Sequence, residues 1–79
     1  MKLIFMDNAW EDYWYWQKTD KLMLKKINQL IKEISRNPFE GIGKPEALRV
    51  WSRRINHEHR LVYRFEDEEI IVFQCRYHY

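Results

Sequence analysis

The sequence predicts a small α+β domain with two N-terminal helices packed on an antiparallel sheet. Three observations predict it. Apolar residues recur every three or four positions between Trp10 and Ile34, and the pattern turns to alternation after Leu48. The one long loop, Phe39 to Pro45, carries both glycines and the second proline and divides the two halves. With 79 residues the chain forms one domain, 1–79, because folding at this size buries only about 60% of the surface and cannot fill a second core. Four Trp, five Tyr and four Phe supply a dense core without a staple.

Each element has its own warrant. Lys2 to Met6 (KLIFM) is a short strand with Leu3 and Phe5 on one face. Asp7 and Asn8 follow, and Glu11 stands three after Asn8, the spacing of a capping box that opens a helix. Trp10, Tyr13, Trp14 and Gln17 then share a face, with Tyr15 and Trp16 adjoining it, and the YWYW run is read as core rather than as a base-stacking platform. Thr19 and Asp20 cap a second helix whose core stripe is Leu24, Ile27, Leu30 or Ile31, and Ile34. Lys21, Lys25, Lys32 and Arg36 form the opposite, solvated ridge, and Asn37-Pro38 ends the helix. LRVWSRRI, HRLVYRF and EIIVFQCRY read as three consecutive strands, with INHEH and the acidic EDEE as the turns between them. In the last strand the alternation puts Phe73, Cys75 and Tyr77 on one face and Gln74, Arg76 and His78 on the other.

Charge narrows the function. The single Cys excludes an intramolecular disulfide, no basic-then-apolar signal opens the chain, and no apolar run approaches the ~20 residues of a membrane span. A cytoplasmic protein without membrane contact is expected. Every Lys except Lys44 precedes Phe39, and every Arg except Arg36 follows it. Since Arg presents a planar fork suited to phosphate, the second half is the better grip for a polyanion, although the same arginines would also suit a plain sheet surface. A formal net charge of only +2 argues against a general RNA-binding module.

Glu46, Arg60 and His78 are the residue types that metal-independent RNA cleavage requires. A base takes the proton of a 2′-OH, a cation holds the extra charge on the pentacoordinate phosphate, and an acid protonates the leaving 5′-oxygen. Any small basic protein offers such residues, so composition alone does not select these three. The competing use of nearby atoms is zinc, from His57-x-His59 and Cys75-x-x-His78. One pair sits at a turn and no second Cys pair reinforces the other, so no metal and no cofactor is expected. Cys75 is read as a small buried hydrophobe.

The opening KLIF, the spaced Trp10, Tyr13, Tyr15, Trp16, Gln17, Thr19, Asp20 and Lys21, then NPFEGIGKPEAL, WSRRI, EHRLVY and the terminal CRYHY closely resemble the YoeB (Txe/YoeB) toxins of the RelE superfamily. The match runs nearly end to end, and the last three motifs in that order are highly specific. The resemblance implies a microbial-ribonuclease-like fold and a ribosome-dependent endonuclease that cuts mRNA in the ribosomal A site. It also implies a YefM-like antitoxin as partner, homodimer formation, and contact with operator DNA only through the antitoxin. By position, the family's general base falls on Glu46, its phosphate-contacting arginine on Arg60, its general acid on His78 and its terminal tyrosine on Tyr79. Arg49 stands where the family commonly has a site lysine. Arg53, Arg54 and His59 complete the expected RNA or ribosome contacts.

One stretch departs from the family. Between Leu48 and Trp51 the chain is several residues shorter, and the remaining Arg49 and Val50 are not turn formers. One continuous strand from Leu48 to Ile55 is therefore expected, with the Gly41 to Gly43 loop making the reversal. A strand advances ~3.3 Å per residue, so a modest slip would carry the Glu46 carboxylate out of reach of a substrate hydroxyl. The alternative function is accordingly a degenerate toxin, binding antitoxin or ribosome through Arg53, Arg54, Arg60 and the lysine ridge without cutting RNA.

Overall fold

The computed structural model describes residues 1–39, 46–47 and 50–77, of which 46–47 are described as strand backbone. Arg49, His78, Tyr79 and most of the expected long loop lie outside the described residues. Strand β1 (Lys2–Phe5) leads through Met6 into helix α1 (Asp7–Thr19), and Asp20 separates it from helix α2 (Lys21–Arg36). Strands β2 (Glu46–Ala47), β3 (Trp51–Arg54), β4 (Arg60–Glu66) and β5 (Glu69–Gln74) follow. The sheet order is β1-β5-β4-β3-β2. Neighbours are antiparallel except β1 with β5, which run parallel, so the expected antiparallel sheet is mixed at one edge. None of the described helices is long and apolar enough to cross a membrane.

Local chemistry explains most boundaries. Asp20 Oδ1 accepts from the Leu22 and Met23 amides, capping α2 as its sequence predicts, while Thr19 bonds back to the Tyr15 carbonyl instead. The capping box at Asn8 does not form. Met6 N–H is tied to Val72 O at 2.9 Å, which fixes the residue before the helix, and α1 starts at Asp7 with no side-chain cap. Asn8 Nδ2 reaches the Phe73 carbonyl instead, at 3.4 Å. The β4–β5 turn places Asp67 and Glu68 at φ 52° and 58°, the paired left-handed conformation of a two-residue type I′ hairpin. In the β3–β4 turn Asn56 Oδ1 accepts from both the Glu58 and His59 amides, an Asx-type closure.

Two expectations about the sheet are corrected. Ala47 pairs with Trp51 and Glu46 with Ser52, so β2 and β3 form an antiparallel hairpin rather than one strand from Leu48 to Ile55. Three residues between the paired positions are a hairpin length that needs no dedicated turn dipeptide. In β5, the register steps from Tyr63↔Val72 to Val62↔Gln74, leaving Phe73 as a β-bulge. The bulge reverses the parity of the last residues. Cys75, not Phe73, turns fully into the core, and Tyr77 is 57% exposed.

The core lies between the helices and one sheet face. Met23, Ile27, Leu30 and Ile34 of α2 meet Leu61, Tyr63, Ile70 and Val72 of the sheet. From α1 the buried residues are Ala9, Asp12 and Trp16, spaced three and four. The expected aromatic face is therefore shifted: Trp16 is 6% exposed, whereas Trp10 and Trp14 are 47% and 51% exposed. Tyr13, half-buried, hydrogen-bonds Asn28 Oδ1 at 2.7 Å and joins the two helices.

Candidate active site

The sheet face turned away from the helices is set by cross-strand register. Ser52 pairs with Val62 and Arg54 with Arg60, so these four share a face, opposite Trp51, Arg53, Leu61 and Tyr63. Val62 is 1% exposed yet stands outside the helix-side core cluster, as a residue on the other face should.

Arg60 is the central group of that face. It is 5% exposed, and its guanidinium donates from Nε to Ser52 Oγ at 3.0 Å and from Nη2 to Ser52 O at 3.2 Å. Ser52 is in turn the residue directly across the ladder from Glu46. Two strands thus bring positions 46 and 60 to one serine. Arg54 is solvent-exposed on the same face.

Arg53 is not part of this face, which corrects its expected role as an RNA contact. It is fully buried on the helix side, donating from Nε to the Tyr63 hydroxyl at 3.2 Å and from Nη2 to the carbonyl of Asn37, the residue that ends α2. A cation at a helix C-terminus meets the negative end of the helix dipole. The Tyr63 hydroxyl donates in turn to the Pro38 carbonyl. Burial pushes the Tyr63 phenol above its ordinary range, against the opposing pull of Arg53.

The C-terminal segment is anchored by α1. Cys75 N–H donates to Asp12 Oδ2 at 3.0 Å, the Trp16 indole Nε1 donates to Cys75 O at 2.8 Å, and the Cys75 thiol donates to Ala9 O at 3.6 Å. Burial, reinforced by Asp12, pushes the Cys75 thiol up to about 12, so it stays a thiol at neutral pH and is no nucleophile. Burial also raises Asp12, with the Cys75 amide and then Arg76 opposing. Arg76 lies between two rings, 3.5 Å from the Tyr15 centroid and 4.6 Å from that of Tyr77. Tyr15 therefore faces the tail rather than the core.

Past Cys75 the chain meets β4. Tyr77 N–H donates to His59 Nδ1 at 2.7 Å, and Tyr77 O accepts from Arg60 N at 3.0 Å. Tyr77 itself has φ 67°. The last described residue is thus bound to the residue that carries the buried guanidinium. His57 lies at the surface beside Glu58, 3.5 Å away. Among the described residues no group of three or more His, Cys, Asp or Glu could hold a metal ion.

Sequence reasoning missed Ser52, Asp12 and Trp16 as supports of this arrangement. Asp12 had a signal: it is the polar member of an i, i+4 pair with Trp16, on a stripe the aromatic run obscured.

Two helices on one face of a mixed sheet, with Arg54 and Arg60 on the other, form a RelE/YoeB-like fold. A family model for the YoeB-like toxin of bacterial type II toxin-antitoxin systems matches residues 5–79. Toxin YoeB of Escherichia coli (strain K12) is 56% identical over 84 positions, covering 100% of both chains. The structure of the YoeB dimer from Staphylococcus aureus superposes with a TM-score of 0.94 at 53% identity, covering 100% of this chain and 98% of that one. The toxin of the YoeB-YefM complex from Staphylococcus aureus gives 0.91 at 52% identity over the same shares. The chain belongs to the YoeB toxin family. The 84-position alignment exceeds the 79 residues by 84 − 79 = 5 positions that this chain lacks.

Proposed function

We propose that this chain is a ribosome-dependent mRNA endoribonuclease that cuts by metal-independent acid-base chemistry and is neutralised by a YefM-like antitoxin. Glu46 acts as the base on the 2′-OH, Arg60 stabilises the charged phosphate, His78 protonates the leaving oxygen, and Tyr79 completes the site. Arg49 and Arg54 contact RNA or ribosome. The observation that carries this reading is the convergence on Arg60. Its guanidinium is bonded to the serine that pairs with Glu46, and its amide to Tyr77, the covalent neighbour of His78.

The antitoxin reading rests on the Staphylococcus aureus complex and on charge. An acidic segment folding over the arginine face would gain charge-assisted hydrogen bonds that RNA would otherwise make. The dimer from the same organism supports homodimer formation here.

The test is to add the purified protein to a translating extract and map mRNA 5′ ends. Cuts within ribosome-bound codons are expected, and His78→Gln should lower the rate by roughly 10². Intact message, with the protein shown to be ribosome-bound, overturns the reading. It would favour a degenerate toxin, and lengthening the hairpin between Leu48 and Trp51 should then switch cleavage on.

A further inference from the structure

We propose that His59 is a positioning residue for the proposed site: its neutral imidazole, accepting the Tyr77 N–H, holds Tyr77, the covalent neighbour of His78, in its left-handed conformation. The inference rests on the cleavage reading above, but its physical basis is separate.

Both polar backbone groups of Tyr77 are taken by consecutive residues of one strand entry. His59 Nδ1 receives its N–H at 2.7 Å, and Arg60 N–H is received by its carbonyl at 3.0 Å. The pair of bonds holds a non-glycine residue at φ 67°, a left-handed conformation that an L-residue with a Cβ adopts only under constraint. Among the described residues, the bonds from Asp12, Trp16 and Ala9 all stop at Cys75, two positions earlier. They fix where the tail leaves the sheet. None of them reaches Tyr77.

The imidazole is itself held in place. Trp16 meets it edge-on, with centroids 4.8 Å apart, the Tyr77 ring lies 5.9 Å away, and the His59 amide is locked by Asn56 Oδ1 at 2.8 Å. A ring nitrogen that accepts must be unprotonated, so the proton of the neutral ring sits on Nε2. An imidazolium would turn a donor toward the Tyr77 N–H and open the bond. Among the described residues, the Asp12 carboxylate of α1 interacts electrostatically with both Arg76 of the tail and His59.

The deciding comparison is His59→Asn against His59→Ala. Asn carries an acceptor oxygen near the position of Nδ1, and Ala carries none. In the ribosome cleavage assay, His59→Ala should lose about 10²-fold in kcat, the cost of misplacing a reacting group by about 1 Å, with KM within about 2-fold. His59→Asn should recover most of that loss. Hydrogen exchange of the Tyr77 amide gives an activity-independent reading: protected in the wild type and His59→Asn, unprotected in His59→Ala. Wild-type kcat in His59→Ala overturns the proposal, as does His59→Asn being as slow as His59→Ala while its Tyr77 amide stays protected. Should the wild type fail to cut, the functional reading fails by itself. The exchange measurement then decides alone, equal protection in all three proteins overturning the latch.

Discussion

Replacing Trp16 with Phe tests whether the aromatic run on α1 is an anchor for the tail. The substitution removes the indole N–H that reaches the Cys75 carbonyl at 2.8 Å in a buried setting. An orphaned buried carbonyl costs about 1–3 kcal/mol. The lost ring leaves a gap beneath a side chain that is 6% exposed, adding about 1 kcal/mol. The sum is roughly 2–4 kcal/mol, and at about 4–8 °C per kcal/mol for a domain this small, Tm should fall by about 8–32 °C. Trp14→Phe is the control. Trp14 is 51% exposed, with Lys18 over its ring and Trp10 tilted beside it at 6.1 Å, and its replacement by Phe should stay within about 0.5 kcal/mol. Urea unfolding followed by far-UV circular dichroism avoids the changed fluorescence. A Trp16→Phe protein as stable as the wild type, or a Trp14→Phe protein equally damaged, refutes the assignment of Trp16 as the anchor.

Arg53 and Arg54 should separate cleanly. Arg53→Ala strips Tyr63 and the end of α2 of a buried donor and should cost about 2–4 kcal/mol in urea titrations, whereas Arg54→Ala should stay within about 0.5 kcal/mol and weaken ribosome binding in a co-sedimentation assay. Asp12 governs a pH effect. Burial raises its folded value, so its favourable contribution is present below the unfolded value of 3.8 and is lost as pH rises through the folded value. Asp12→Asn keeps an acceptor for the Cys75 amide without the charge, and that decline should vanish from urea midpoints measured on either side of the window. Asp12→Ala should instead lose about 1–3 kcal/mol.

What the sequence made legible was what depends on near neighbours. The α2 stripe, the Asp20 cap and the Asp67-Glu68 turn all follow from residues within a few positions of one another. Helix α1 was harder because four aromatics in a row fit several phases, and the true phase passes through a carboxylate that pattern reading counts as outward. Arg53 and Arg54 look alike in WSRR, yet strand alternation sends one into the core and the other to the opposite face. The Phe73 bulge inverts the alternation that would have put Cys75 with Phe73, because a register step depends on the partner strand. The parallel partnership of β1 and β5 joins segments from opposite ends of the chain and has no local signal.

The same distinction bears on the site proposed above. What Glu46 needs is its position in the ladder, and that position is fixed by pairing with Ser52, not by the length of chain that closes the turn. Ser52 is held in turn by Arg60 through two hydrogen bonds and by Val62 across the next ladder. Arg60 then grips Tyr77 through its amide. Positions 46, 60 and 77 are therefore linked through β3 and β4. On the proposed function, Arg49→Lys and lengthening the chain between Leu48 and Trp51 are independent perturbations, and neither should change the pairing of Glu46 with Ser52.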